Sequence, residues 1–249
     1  LPAVSCINYY CLPPFSKEVN ISKEYIMKKP VLLITTVLLF SAMVFSQVRM
    51  TGTAPVQSRQ GCLPDGITFT YQAQIDSFQT DYPGCTEIEK NLIIIGNDIN
   101  NLEGLSVLTS IRGDLYIGYY YGGNPLLTSL AGLENLTSIG GDLCIGYYSE
   151  GNPLLTNLSG MDKLDSIGGF LIVHRNDALI SLTGLEHLTY IGGFEISGNH
   201  ALPNLTGLAG LTAIGGDFTI SENDHLTSLS GLENLASIGG DLNIGKMWM

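Results

Sequence analysis

The chain has 249 residues and a formal net charge of −12; only 14% of its residues are charged, and 30 are glycine. An acidic chain with so few lysines and arginines lacks the basic face that nucleic acid or an anionic membrane surface requires of its partner. The composition therefore argues against both of these partners, while the length allows one or two domains.

The segment that begins at Met27 predicts an export signal. In MKKPVLLITTVLLFSAMVFSQ, two lysines precede 15 mostly apolar residues, and Ser46 is a small residue suited to the position before cleavage. Fifteen apolar residues are fewer than the ~20 that cross a bilayer as a helix. We therefore expect residues 27–46 to be a signal peptide, 1–26 an upstream leader outside the working protein, and 47–61 a linker. The mature chain is expected to be secreted or held at a bacterial cell surface, without stable membrane insertion.

Residues 62–90 predict a small N-terminal cap. Cys62 and Cys85 bracket the sequence LPDGITFTYQAQIDSFQTDYPG, which is typical of a short strand, a threonine N-cap and one amphipathic helix. The helix would place three apolar side chains on one face: Ile75, Phe78 and Tyr82. Export permits disulfides, so we favour a Cys62–Cys85 bond that closes this unit.

An internal repeat follows the cap. GLENLTSIGGDL at 132–143 and GLENLASIGGDL at 231–242 differ at one position, and such self-similarity identifies a repeat architecture. In each repeat one glycine precedes a short apolar motif: Gly113, Gly141, Gly169, Gly193, Gly216 and Gly240. Their spacings are 28, 28, 24, 23 and 24 residues.

Apolar residues recur at fixed positions of this repeat. One set is Leu102, Leu130, Leu158, Leu182, Leu205 and Leu229; another is Leu108, Leu136, Leu164, Leu188, Leu211 and Leu235. The motif L-x-I places two apolar side chains on one face of a strand and the middle residue on the other. One repeat cannot bury its apolar side alone, whereas coils stacked about 4.8 Å apart bury each set against itself. The pattern predicts a parallel β-solenoid over residues 91–249, with glycine pairs at its corners that allow positive φ and tight backbone turns.

An asparagine recurs shortly after each strand motif. The set is Asn124, Asn152, Asn176, Asn199 and Asn223. An inward asparagine at a bend can hydrogen-bond backbone groups of its own and neighbouring coils, where no strand ladder satisfies them. We therefore interpret these residues as a structural asparagine ladder.

The motif L-x-I-x-x-N followed by L-x-x-L resembles leucine-rich repeats, and the fuller pattern L-x-x-I-x-G-x-L-x-I-x-x-N resembles the receptor L-domain. The cap sequence CLPDGITFTYQAQIDSFQTDYPGC resembles the start of secreted bacterial surface proteins built from such repeats. The resemblance covers residues 62–245 and implies a mainly β, right-handed parallel solenoid with an extracellular interaction role, but no particular ligand. The chain departs from this pattern at its end, IGKMWM, which has no polar cap; we therefore expect a C-terminal truncation.

The positions that vary between repeats are the candidates for function. The middle residue of the strand motif is in turn Tyr116, Cys144, Ile172, Glu195, Thr219 and Asn243.

The first two coils also carry longer loops, IGYYYGGN at 117–124 and IGYYSEGN at 145–152. Adjacent coils should stack Tyr119 over Tyr147 and Tyr120 over Tyr148. The candidate ligand-binding residues are Tyr116, Tyr119, Tyr120, Tyr121, Tyr147, Tyr148 and Glu195, because exposed tyrosine clusters offer large contact area at low entropy cost. The alternative is that these rings only pack on each other and stiffen the loops.

Other chemistry is not indicated. Three basic residues lie within the repeats (Arg112, Lys163 and Arg175) without sharing a position, and no carboxylate pair is brought together by the spacing. The aspartates of the GGD motifs are interpreted as turn formers, the histidines as surface or turn residues rather than a metal set, and Cys144 as a free thiol. We predict no catalytic residue, no metal and no cofactor.

The sequence thus predicts a non-enzymatic surface or secreted module that binds an extracellular protein or glycan through the outward strand positions and the tyrosine loops. One alternative is a structural spacer that presents a missing C-terminal domain. A more remote one is a β-helical polysaccharide-active enzyme.

Overall fold

The computed structural model describes residues 61–119, 122–147 and 151–245. The predicted leader, the predicted signal peptide and nearly all of the predicted linker lie outside these residues, as do three candidate tyrosines: Tyr120, Tyr121 and Tyr148. The described chain is a mainly β structure, a parallel β-solenoid of about seven turns preceded by a small cap. The fold class predicted from the repeat is confirmed.

Two rows of short parallel strands run along the solenoid. The first row is β1 (Ile67–Phe69), β3 (Leu92–Ile94), β5 (Leu115–Ile117), β7 (Leu143–Ile145), β8 (Ser166–His174), β9 (Tyr190–Ser197), β11 (Phe218–Ser221) and β13 (Leu242–Ile244). The second row is β2 (Glu87–Ile88), β4 (Ser110–Ile111), β6 (Ser138–Ile139), the first residues of β8 and β9, β10 (Ala213–Ile214) and β12 (Ser237–Ile238). Strands β8 and β9 continue through the corner and therefore belong to both rows.

Equivalent repeat positions pair directly from coil to coil. Leu115 pairs with Leu143, and Leu143 pairs with Leu171. The register shifts once, between β8 and β9, after Ile167 and before Phe170. Strand β8 has one residue more at this corner than β9 has in its IGGF sequence, so the pairing must slip there.

The apolar sets predicted from the repeat form the core. Leucines of the first set from Leu102 to Leu205 have no exposed surface, whereas Leu229 is 42% exposed. In β13, Leu242 and Ile244 are 53% and 56% exposed. These three belong to the last coil described, where only one neighbouring coil of the described chain packs on them.

The corner glycines are explained by the close approach of adjacent coils and not by positive φ. Gly140 and Gly168 do not have positive φ, so these corners do not use the positive φ that glycine allows. A Cβ at Gly140 would collide with the carbonyl oxygen of Arg112 in the preceding coil. The glycines allow the backbones of adjacent coils to approach closely. Positive φ occurs instead at another repeated glycine, such as Gly132 with φ 109°.

The cap covers the first coil with two helices rather than one. Helix α1 (Gln72–Asp76) is followed by α2 (Phe78–Asp81), and Ser77 lies between them. The N-cap is Tyr71, not the preceding threonine, because the Gln74 side chain accepts hydrogen bonds from the N–H groups of Thr70 and Tyr71 at 2.7 and 3.1 Å. The break still leaves Ile75 and Phe78 buried, with Tyr82 packed against the core.

The disulfide Cys62–Cys85 closes this cap, as predicted, with 5.5 Å between the two Cα atoms. The Cys62 backbone also forms an isolated parallel β-bridge with Ile88 of β2, the first strand of the second row. The disulfide and this bridge therefore join the two ends of the cap to each other. Across the residues that the structure describes, no helix is long and apolar enough to span a bilayer.

Candidate functional site

The outer face of the first row of strands carries the residues that vary between coils. Tyr116 pairs with Cys144, Cys144 with Ile172, and Ile172 with Glu195. Thr219 and Asn243 continue the row through the next two strands. The side chains on either side of each of these residues point inward and are aliphatic or aromatic core residues, because side chains alternate along a strand.

Four rings form a continuous strip on this face. The Tyr116 and Tyr119 ring centroids are 4.5 Å apart, and the Tyr119 and Tyr147 centroids are 5.6 Å apart. Tyr147 then stacks on His174 at 6.3 Å with an interplanar angle of 20°. We call Tyr116, Tyr119, Tyr147 and His174 the aromatic ribbon. The three tyrosines are partly exposed, so the ribbon offers ring surface to a partner although its members contact each other.

The long loops bring Tyr119 and Tyr147 to this face because each loop bends sharply after its strand. Gly118 and Gly146 follow β5 and β7 with φ of 81° and 75°, a conformation that favours glycine. In the first loop the backbone N–H groups of Tyr119 and Gly122 each donate to the other residue's carbonyl at 2.8 Å. The loop therefore closes on itself, and Tyr119 returns over Tyr116 of its own strand.

Aspartates border the ribbon and link the coils to each other. The Asp114 carboxylate accepts the backbone N–H of Asp142 at 2.8 Å, and Asp142 accepts that of Phe170 at 2.7 Å. Asn91 begins this series by accepting the N–H of Asp114 at 2.9 Å. The GGD aspartates were interpreted as turn formers; their side chains in fact join successive coils. The constant repeat position of the aspartate was the available signal.

The acidic surroundings perturb two groups of the site. Burial raises the pKa of the Tyr116 phenol, and the nearby Asp114 carboxylate raises it further. The Tyr116 hydroxyl donates to that carboxylate at 3.0 Å. Burial also raises the pKa of Asp142, although the hydrogen bond from the Phe170 N–H opposes the shift. Tyr116 therefore stays a neutral hydrogen-bond donor throughout the physiological range.

His174 is the residue of the site that the sequence interpretation missed. It was expected at the surface, but it is only 6% exposed because Tyr147 stacks on it. Its Nε2 lies 3.2 Å from Oε1 of Glu195, the candidate binding residue on the next strand. His174 follows Ile172 by two positions, and this alternation was the signal that it faces outward.

Cys144 also departs from the expectation for an outward position. It is a free cysteine, as expected, but it is 1% exposed. Burial raises the pKa of its thiol, and the carboxylates of Asp142 and Asp114 act in the same direction. A buried neutral thiol is a poor nucleophile, so Cys144 contributes packing beneath the ribbon rather than reactivity.

The asparagines after the strands are buried and connect coil to coil. Asn152 donates to the Ile117 carbonyl at 2.9 Å and to the Asn176 side chain at 3.0 Å. The Asn124 side chain donates to Asn152 at 3.0 Å in turn, and Asn176 repeats the pattern with Asn199. This ladder satisfies carbonyls at the bend and lies inside the solenoid, away from the aromatic ribbon.

The structure thus brings Tyr116, Tyr119, Tyr147 and Glu195 onto one face. Nowhere in the described ranges do three or more histidine, cysteine, aspartate or glutamate side chains group in a way that could hold a metal ion. Comparison of the chain with models of protein families, with characterised proteins and with solved structures gave no match.

Proposed function

We propose that the chain is a non-enzymatic interaction module, secreted or held at the cell surface, which binds an extracellular protein or glycan through its outer face and tyrosine loops. The observation that carries this proposal is the aromatic ribbon, which joins Tyr116, Tyr119 and Tyr147 across two adjacent coils with ring centroids 4.5 and 5.6 Å apart. Partly exposed tyrosines of this kind supply large, rigid contact area at low entropy cost.

Two further features support an extracellular binding role. The outward residue at the middle of each strand in the first row changes chemical character from coil to coil, from Tyr116 to Asn243. The inward residues of the same strands stay apolar. The Cys62–Cys85 disulfide is typical of proteins that fold outside the cytosol. A rigid scaffold with one variable face is the usual basis for recognition in repeat proteins.

The test is a double substitution, Tyr119→Ala with Tyr147→Ala, compared with the parent on arrays of glycans and extracellular proteins. We expect capture of the partner to fall at least about tenfold, which corresponds to losing about 1.4 kcal/mol of binding free energy. The matched control removes two exposed tyrosines elsewhere, Tyr71→Ala with Tyr190→Ala, and should leave capture unchanged; these residues are 61% and 48% exposed. Capture that persists in the first variant, or a parent that captures nothing, contradicts the proposal.

A second candidate is a structural spacer, favoured by the contacts of the ribbon tyrosines with each other. In that case the rings serve to hold the long loops together. The same double variant then lowers the thermal midpoint of unfolding by several degrees without any effect on capture, whereas the binding role predicts the reverse.

A further inference from the structure

The outer face has an unbalanced charge. Five carboxylates lie on it: Asp114, Asp142, Glu195, Asp217 and Asp241. Among the residues that the structure describes, no lysine or arginine lies within a strand of this face, although the exposed Arg175 directly follows β8. Lys90 lies 3.7 Å from Asp65 in the cap region, and Arg112 pairs with Glu87 of the second row. A protein surface of one sign attracts partners of the opposite sign.

Two carboxylates beside the ribbon are held in place by the fold. Asp142 Oδ1 accepts the Phe170 N–H at 2.7 Å, and Glu195 Oε1 lies 3.2 Å from His174. Both side chains are also partly exposed. They can therefore meet a partner without first being ordered.

The surface between these two carboxylates is apolar and aromatic. Ile172 pairs with Glu195 and lies on β8, the strand between the coils of Asp142 and Glu195. The coil spacing of about 4.8 Å places Asp142 and Glu195 roughly 10 Å apart along the solenoid. Tyr147 stacks on His174, whose Nε2 lies 3.2 Å from Glu195, so the aromatic ribbon borders this strip. A long cationic side chain matches this arrangement, because its aliphatic stem packs on apolar surface while its head reaches a carboxylate.

Resting on the proposed function, we infer that the partner is a protein that presents a lysine- or arginine-bearing extended segment to the outer face. Its cationic groups contact Asp142 and Glu195 beside the aromatic ribbon, and its chain crosses adjacent coils. A glycan that carries carboxylates would be repelled by this face, and a neutral glycan would gain nothing from its charge. The face therefore favours a basic peptide over either sugar.

The experiment measures binding of fluorescent dodecapeptides to the chain by anisotropy. The peptides alternate glycine with lysine, arginine, serine or glutamate, and a neutral and a uronic-acid oligosaccharide complete the set. We expect the lysine and arginine peptides to bind the parent and the other probes not to bind. Affinity should fall steeply between about 50 and 500 mM salt, because partly exposed charges are screened.

Two isosteric variants locate the interaction. Asp142→Asn with Glu195→Gln removes two charges with little change in side-chain size, and an amide oxygen at position 142 can still accept the Phe170 N–H, so the fold is retained. This variant should bind the basic peptides at least tenfold more weakly and with less salt dependence. The control removes two exposed carboxylates off the face, Asp165→Asn with Asp177→Asn, and should bind like the parent.

The outcomes separate this inference from the proposed function. Equal binding of the basic peptides to both variants, or none to the parent, overturns the cationic partner. A neutral glycan that is captured by the parent and lost in Tyr119→Ala with Tyr147→Ala also overturns it, but leaves the proposed function standing. If the parent captures neither a probe nor an array partner, both fail.

Discussion

The inner and outer faces of the same strands differ in what constrains them. Inside, each residue packs on its equivalent in the next coil, as Leu143 does between Leu115 and Leu171. A change at one inner position therefore disturbs the packing of two neighbours. Outside, Cys144 also lies between two neighbours, but these are a tyrosine and an isoleucine. Packing between equivalent apolar residues of adjacent coils therefore constrains the inner face. The outer face has no such constraint, so its residues can vary.

The early and late coils show a related difference in the bend before the ladder asparagine. The late coils cross this bend with one residue in the left-handed region: Arg175 at φ 52°, Gly198 at 69° and Glu222 at 52°. A side chain in this conformation costs on the order of 1 kcal/mol. The early coils instead place Gly118 and Gly146 in that region and add four residues each. These longer connections carry the ribbon's Tyr119 and Tyr147, so the coils with the added residues also carry the candidate site.

The largest expected effect comes from comparing a leucine inside the solenoid with one at its surface. Leu164→Ala removes a side chain with no exposed surface and leaves a cavity between coils, so we expect the free energy of unfolding to fall by about 3 kcal/mol. Leu154→Ala removes a side chain that is 47% exposed and should change it by less than about 0.5 kcal/mol. Urea unfolding followed by circular dichroism measures both. Similar losses in the two variants would contradict the expectation that packing between coils, and not the surface leucines, stabilises the solenoid.

A smaller effect is expected from the asparagine ladder. Asn152→Ala leaves the buried Ile117 carbonyl and the side chains of Asn124 and Asn176 each without one partner, so we expect a loss of about 2 kcal/mol. Asn243→Ala, at an exposed outward position, is the matched control and should be close to neutral. If Asn152→Ala unfolds at the same urea concentration as the parent, the ladder does not stabilise the coils.

The parts of the fold that could be predicted are those that repetition dictates. Equal spacing places identical residues above each other, so the inner sets and the outer row follow from counting, and two cysteines that bracket one unit indicate their pairing. Helix α1 was predicted one residue too early and too long, because the sequence gives no strong signal for the break at Ser77. In the cap, packing of Ile75 and Phe78 decides the backbone path.

The candidate site was less predictable, because it depends on which side chains lean over which coil. Spacing indicated that Tyr119 and Tyr147 would stack, but not that Tyr147 would bury His174. An alternating pattern assigned Cys144 to the outside, although its neighbours remove nearly all of its exposed surface. Burial on the outer face is a property of several loops together, and the repeat pattern describes one coil at a time.

The burial of Cys144 gives the smallest expected effect, which appears only at alkaline pH. A free thiol in the unfolded chain has a pKa near 8.5, while burial raises the pKa of Cys144 in the folded protein. Below the unfolded pKa both states keep the proton, and stability does not depend on this group. Above it the unfolded chain releases the proton and the folded chain does not, so the free energy of unfolding falls by about 1 kcal/mol by pH 9.5.

The measurement is urea unfolding of the parent and of Cys144→Ala at steps from about pH 7 to 9.5, below the range where free tyrosines with a pKa near 10 titrate fully. The variant is destabilised at neutral pH by the lost packing, but its free energy of unfolding should fall less with rising pH than that of the parent. Parallel curves for the two proteins would mean that the thiol titrates alike in both states and that solvent reaches it. In that case the outer face beneath Tyr116 and Tyr147 is open, and the ribbon is a looser surface than the contacts between its rings indicate.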